Sequence, residues 1–219
     1  MTLKALVKRV LKGDKSAASA ENSVEQPAAF YDDAYANVDE YKLDYPDSRY
    51  YFVWTVIVDR VRRLGAKRVL EIGCGPGQLA RFLMDQGVES YVGLDFSATA
   101  LDLARQNAPG ATFVLDDART SDVYRKQSYD LLICTEVLEH IQADLEVLSN
   151  FPRGVPCICS VPSFPYRSHV RHFRNCAEVA SRYQPLLDKF TVYALSMPVN
   201  PENHYFLFDG IRNERQSNG

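Results

Sequence analysis

Gly73, Gly75 and Gly77 stand at alternate positions directly after a short apolar run, Val69, Leu70 and Ile72. An apolar run ending in closely spaced glycines predicts a buried parallel strand that turns sharply into a helix, with its backbone brought close to a ligand. The ligand then lies at the strand's carboxyl end. The spacing argues against a dinucleotide fingerprint, whose third glycine would fall at position 78, where this chain has Gln78.

Around that bend the pattern alternates. Strands are expected at 67–72, 90–94, 112–115, 129–134 and 155–161, and helices at 78–86, 97–106 and 136–149, the second opened by the cap candidate Ser97. Strand and helix in alternation mean βαβ units on a parallel sheet, an α/β fold. A helix over 48–64, closed by Gly65, precedes the first strand. Residues 190–197 and 204–211 read as an antiparallel hairpin at the sheet edge.

A length of 219 residues, 46% of them hydrophobic, suits one domain with a sizeable core, expected over 30–219. The formal net charge of −3 gives no sign of a general nucleic-acid binder, so any basic patch must be argued locally. Cys74, Cys134, Cys157, Cys159 and Cys176 show no zinc-ligand spacing and read as reduced, mostly buried thiols of a cytoplasmic protein. Residues 1–29 form a separate segment. Leu3, Leu6, Val7, Val10 and Leu11 at helical spacing, with Lys4, Lys8, Arg9, Lys12 and Lys15 between them, predict a basic amphipathic helix that docks on protein, lies weakly on a membrane or stays disordered. Residues 13–29 read as a linker.

The run Val-Leu-Glu-Ile-Gly-Cys-Gly-Pro-Gly, with Glu71 two positions before Gly73, resembles motif I of the class I S-adenosylmethionine (SAM) dependent methyltransferases. The resemblance implies a Rossmann-like, mostly parallel seven-stranded sheet with an antiparallel edge hairpin. It also implies SAM as cofactor. Asp95, 22 residues past Gly73 at the end of the second strand, then accepts the ribose hydroxyls, and Phe96 packs on the adenine. Asp117-Ala118 resembles the family's adenine motif, and Asp130 with Leu131–Thr135 resembles motif IV, whose strand end lines the methyl-transfer position. Tyrosines crowd residues 31–51, a density that serves packing or a lid; in such lids one hydroxyl meets the SAM carboxylate, and Tyr31 and Tyr41 are the candidates.

Thr135-Glu-Val-Leu-Glu-His140 carries the remaining chemistry. On the expected helix, Glu136, Glu139 and His140 share one face. The pattern is similar to that of ubiquinone-pathway O-methyltransferases and small-RNA 2′-O-methyltransferases, in which these three side chains and a later residue hold a divalent metal. The resemblance implies Mg2+ or another divalent cation, with His172 favoured over His169 as the later ligand. Many metal-free members carry an acid and a histidine here too, so His140 as a general base, or as a cap and packing residue, stays open. Arg167, Arg171 and Arg174 make either a solvated face or an anion contact. The expectation is methyl transfer to a small-molecule hydroxyl, on a sugar, phenol or similar metabolite. The alternatives are a carbon or nitrogen acceptor, or a binding protein that has lost turnover.

Overall fold

The computed structural model describes residues 24–198 and 200–213; the basic segment 3–15 lies outside them. The chain begins with helix α1 (Ala28–Asn37), two short 3-10 turns (Asp39–Lys42 and Tyr45–Asp47) and helix α2 (Tyr51–Leu64), which Gly65 ends in a left-handed cap. There follow β1 (Arg68–Ile72), α3 (Gln78–Asp85), β2 (Ser90–Asp95), α4 (Ala98–Asn107), β3 (Thr112–Leu115), a single turn α5 (Val123–Lys126) and β4 (Leu131–Thr135). The chain continues through α6 (Asp144–Asn150), β5 (Pro156–Pro162), α7 (Cys176–Tyr183), β6 (Leu187–Met197) and β7 (Asn200–Arg212).

The seven strands form one sheet in the order β3-β2-β1-β4-β5-β7-β6. β1 to β5 pair in parallel, and β7 pairs antiparallel with both β5 and β6. Because β1 and β4 occupy the centre, both faces of each must be covered, and alternate residues serve the two cores. Leu70, Ile72, Leu132 and Cys134 enter one core, with Val179 and Tyr183 of α7. Val69, Leu131 and Ile133 enter the other, with Ile57 and Val61 of α2 and Leu79 and Leu83 of α3. Strand order reverses between β2-β1 and β4, which opens a crevice at their carboxyl ends. At the opposite end, Asp130 accepts hydrogen bonds from the backbone N–H groups of Lys67 and Arg68 at 3.1 and 3.0 Å and sets the start of β1 against β4.

Two expectations need correction, and one helix was not foreseen. No helix runs through 136–149: Glu136 takes a left-handed φ of 55°, Leu138–His140 make one 3-10 turn, and α6 starts only at Asp144. β4 extends to Thr135, and the Glu136 N–H is tied to the Ser160 carbonyl and hydroxyl of β5, so the chain cannot coil at that point. The linker expected over 13–29 gives way to α1 at Ala28. The last third holds a helix, α7, whose cap is Asn175, its side chain accepting from Glu178 N–H at 3.0 Å. Among the described residues no helix is long and apolar enough to cross a membrane.

Gly77 faces a neighbouring helix. It does not line the crevice, its φ is +75°, and a Cβ there would lie 2.9 Å from Ala104 Cα of α4. Gly77→Ala should therefore lower stability by about 2 kcal/mol or more, through backbone strain and an overpacked helix contact. A urea melt with an unchanged midpoint would contradict this.

Candidate active site

The crevice is a cavity of about 270 Å3 that runs from the glycine bend to the ends of β4 and β7. At one end Gly75, with φ +52°, donates its N–H to Asp95 Oδ2 at 2.8 Å, while Ser97 N–H donates to Oδ1 at 2.9 Å. Gly73 and Cys74 N–H both donate to Leu94 O, which locks the bend to β2. Gly75 and Asp95 therefore open on one crevice. The Asp95 carboxylate is pushed above its usual range by burial, against which the backbone N–H donors pull it down. Each oxygen keeps a lone pair for a ligand hydroxyl.

Glu71 is buried, and the Tyr91 hydroxyl donates to its Oε2. Burial raises the Glu71 carboxyl to about 8. Between about pH 4.5 and 8 the folded protein then binds more protons at this site than the unfolded chain does, so the site's contribution to stability falls as pH rises. Glu71→Gln should remove that loss, and its melting temperature relative to wild type should climb from pH 5 to pH 8. A pH-independent difference would contradict the assignment.

The lid is helical. Asp32 Oδ1 accepts from the Ser97 hydroxyl and from Thr99 N–H at 2.5 and 3.1 Å, which pins α1 to the start of α4. Glu25 accepts from Arg119 at 2.8 Å and from Gln142 N–H at 2.8 Å, bridging the two sides of the crevice. The Tyr31 ring lies 5.2 Å from Phe96 and 5.8 Å from His140. Tyr41 stacks edge-on at 4.7 Å against Tyr35. Tyr35, which sequence reasoning passed over, places its hydroxyl 3.2 Å from where a Gly75 Cβ would stand. The signal was its spacing of four from Tyr31, legible only once a helix is assigned there. Asp117 spends its carboxylate on Arg119, which lowers its pKa. Asp117, Ala118 and Thr135 all line the cavity.

At the other end stands a group of ligand atoms. Glu139 is fully buried, and among the described residues neither carboxylate oxygen has a hydrogen-bond partner. His140 Nδ1 lies 2.9 Å from Ser168 O, and His169 Nδ1 lies 3.0 Å from Phe164 O. A carbonyl can only accept, so each Nδ1 carries the proton and each Nε2 presents a lone pair. Burial holds both imidazoles neutral, His140 at about 4 and His169 at about 3. One ligand atom from each of Glu139, His140 and His169 falls within 4.8 Å of the others. Two of the expected ligands lie outside that group. His172 is exposed, and Glu136 lines the crevice with its Oε1 accepting from the Ser160 hydroxyl at 2.8 Å. The 164–169 turn folds His169 inward, and the left-handed backbone at Glu136 breaks the helical face that it was expected to share with Glu139 and His140. Of the arginines, Arg171 is bound to carbonyls of the 138–142 turn and Arg174 pairs with Glu178, which leaves Arg167 at the cavity wall, over the Phe30 ring at 4.8 Å.

Residues 69–155 match the family described as "Methyltransferase domain". The chain is similar to the ubiquinone biosynthesis O-methyltransferase of Aliivibrio fischeri strain MJ11, 32% identical over 103 residues that cover 45% of this chain and 44% of that protein. The protein of the same description from Vibrio cholerae O395 is 30% identical over 98 residues, covering 43% and 40%. The match thus spans less than half the length of these relatives. Among solved structures, magnesium protoporphyrin IX methyltransferase from Synechocystis PCC 6803 with bound SAM superposes with a TM-score of 0.65 at 18% identity, covering 88% of this chain and all of that one. The methyltransferase domain of bacterial CtHen1 gives 0.53 at 20% identity, covering 73% and 97%. At such identities the structures establish the fold, and the matched residues carry the glycine bend and Asp95. Over residues 69–155 the chain thus matches a methyltransferase domain, and its fold is the one that those solved methyltransferases share.

Proposed function

We propose that this chain transfers a methyl group from SAM to a hydroxyl of a small-molecule acceptor, with a divalent cation such as Mg2+ seated at Glu139, His140 and His169. The observation that carries the proposal is the Glu139 carboxylate, fully buried and unpartnered, with His140 Nε2 3.5 Å from its Oε1. Burial pushes the Glu139 carboxyl well above its usual range, and a cation among these atoms would offset the cost of ionising it there. The donor set of one carboxylate and two neutral imidazoles, each fixed by a hydrogen bond from its far nitrogen to a backbone carbonyl, is the chemistry of a cation site. A cation bound there would lower the pKa of an acceptor hydroxyl and align it for attack.

The chain's own residues do the rest. Asp95 accepts the ribose hydroxyls, Phe96 packs on the adenine, the Gly73–Gly75 backbone lets the cofactor approach closely, and Tyr31, Tyr35 and Tyr41 close over it. Burial raises the Tyr31 hydroxyl's pKa and keeps it a neutral donor. Transfer itself is a displacement at the methyl carbon, for which holding the partners in line supplies most of the acceleration. Beyond Thr135 the cavity is walled by Tyr50, Phe164 and Tyr205 and reached by Arg49 and Arg167, which suits a planar or sugar acceptor with an anionic group. His140 as a metal-free base is disfavoured by its pKa of about 4, since an efficient base titrates near the working pH.

Stripping metals with a chelator should cost about 100-fold or more in turnover, restored by Mg2+, Mn2+ or Co2+. Turnover indifferent to chelation would leave methyl transfer standing without the cation.

A further inference from the structure

The segment bearing His169 is fastened to the turn bearing Glu139 and His140 mostly through backbone carbonyls. The His140 ring donates to Ser168 O at 2.9 Å, and Val170 N–H donates to Glu139 O at 2.8 Å. Arg171 adds three more: one guanidinium nitrogen donates to Leu138 O and Ile141 O, each at 2.5 Å, and the other to Gln142 O at 2.9 Å. The side chain is 14% exposed and does not reach the cavity. Its charge is met by Asp144 at 3.2 Å, a fully buried carboxylate that also takes two bonds from Arg182, at 2.7 and 2.5 Å, and one from the Tyr183 hydroxyl at 2.8 Å.

A 3-10 turn of three residues cannot hold its own shape, because it closes too few internal bonds. The planar fork of a guanidinium can hold three carbonyls in a fixed arrangement, which an ammonium cannot copy. We infer that Arg171 is a positioning residue of the cation site, setting the distance from Glu139 and His140 to His169. The inference rests on the cation site proposed above. Arg171 touches neither cofactor nor acceptor, so its effect appears in cation affinity and spares SAM.

The test compares full-length wild type with Arg171→Lys, Arg171→Met and Arg171→Ala. Mn2+ affinity is read by electron paramagnetic resonance, SAM affinity by calorimetry and folding by circular dichroism. The expected result is Mn2+ binding weaker by about 10- to 100-fold in the variants, with SAM affinity held within about threefold. Added methylguanidinium should restore Mn2+ binding to Arg171→Ala, a rescue that general loss of packing would not allow. If Arg171→Ala does not fold, Arg171→Lys decides. Wild-type Mn2+ affinity in a folded variant overturns the inference alone, as does a parallel loss of SAM and Mn2+ affinity. Wild-type protein that binds no Mn2+ overturns the cation site as well.

Discussion

Glu139→Gln is expected to reduce turnover by about 100-fold or more while leaving SAM affinity near that of wild type. The two proposed contacts lie apart in the crevice: Asp95 ends β2, whereas Glu139 stands on the turn after β4. Gln keeps the volume of Glu and removes the anionic ligand, so the variant should fold. Without metal its melting temperature should equal or exceed that of wild type, since the buried carboxylate has no partner to lose. Opposite signs for activity and metal-free stability distinguish a ligand from a packing residue. Single-turnover kinetics and a thermal melt suffice to check both. A Glu139→Gln enzyme that turns over at the wild-type rate takes the cation out of the reaction and returns the role of base to His140.

Asp95→Ala is expected to weaken SAM binding by about 100-fold, the worth of charge-assisted bonds to the ribose hydroxyls. The substitution also releases the N–H groups of Gly75 and Ser97, both of which donate to this carboxylate. Asp95→Asn separates the two effects: it keeps one acceptor oxygen, and affinity between that of wild type and Asp95→Ala assigns the loss to the hydroxyl contacts. Calorimetry measures it directly. Undiminished binding in Asp95→Ala would mean that the cofactor lies elsewhere in the crevice.

The parts of the fold that could be read in advance are those in which local pattern and tertiary role coincide. The apolar run before Gly73 is a central strand because it is buried on both faces, and burial on both faces is what makes a strand continuously apolar. Ser97 caps α4 by a bond within its own turn, to Ala100 N–H at 3.1 Å. By contrast, residues 136–143 show helical spacing and form no helix, because Ser160, a residue of another strand, captures the Glu136 backbone. Gly77 was legible as a glycine that had to be there; that a neighbouring helix, not a ligand, demands it was not.

The sequence by itself determined the α/β architecture, the crevice at the end of β1 and the pairing of Gly75 with Asp95, because each depends on spacing along one strand and the turn that leaves it. Tertiary structure alone decided that Tyr35 lies over the glycine bend, that His169 and not His172 faces Glu139, and that Arg171 turns inward. The last two outcomes depend on how segments some 30 residues apart thread past one another, and the bonds that fasten them run to backbone carbonyls, which every residue possesses and no sequence pattern can mark.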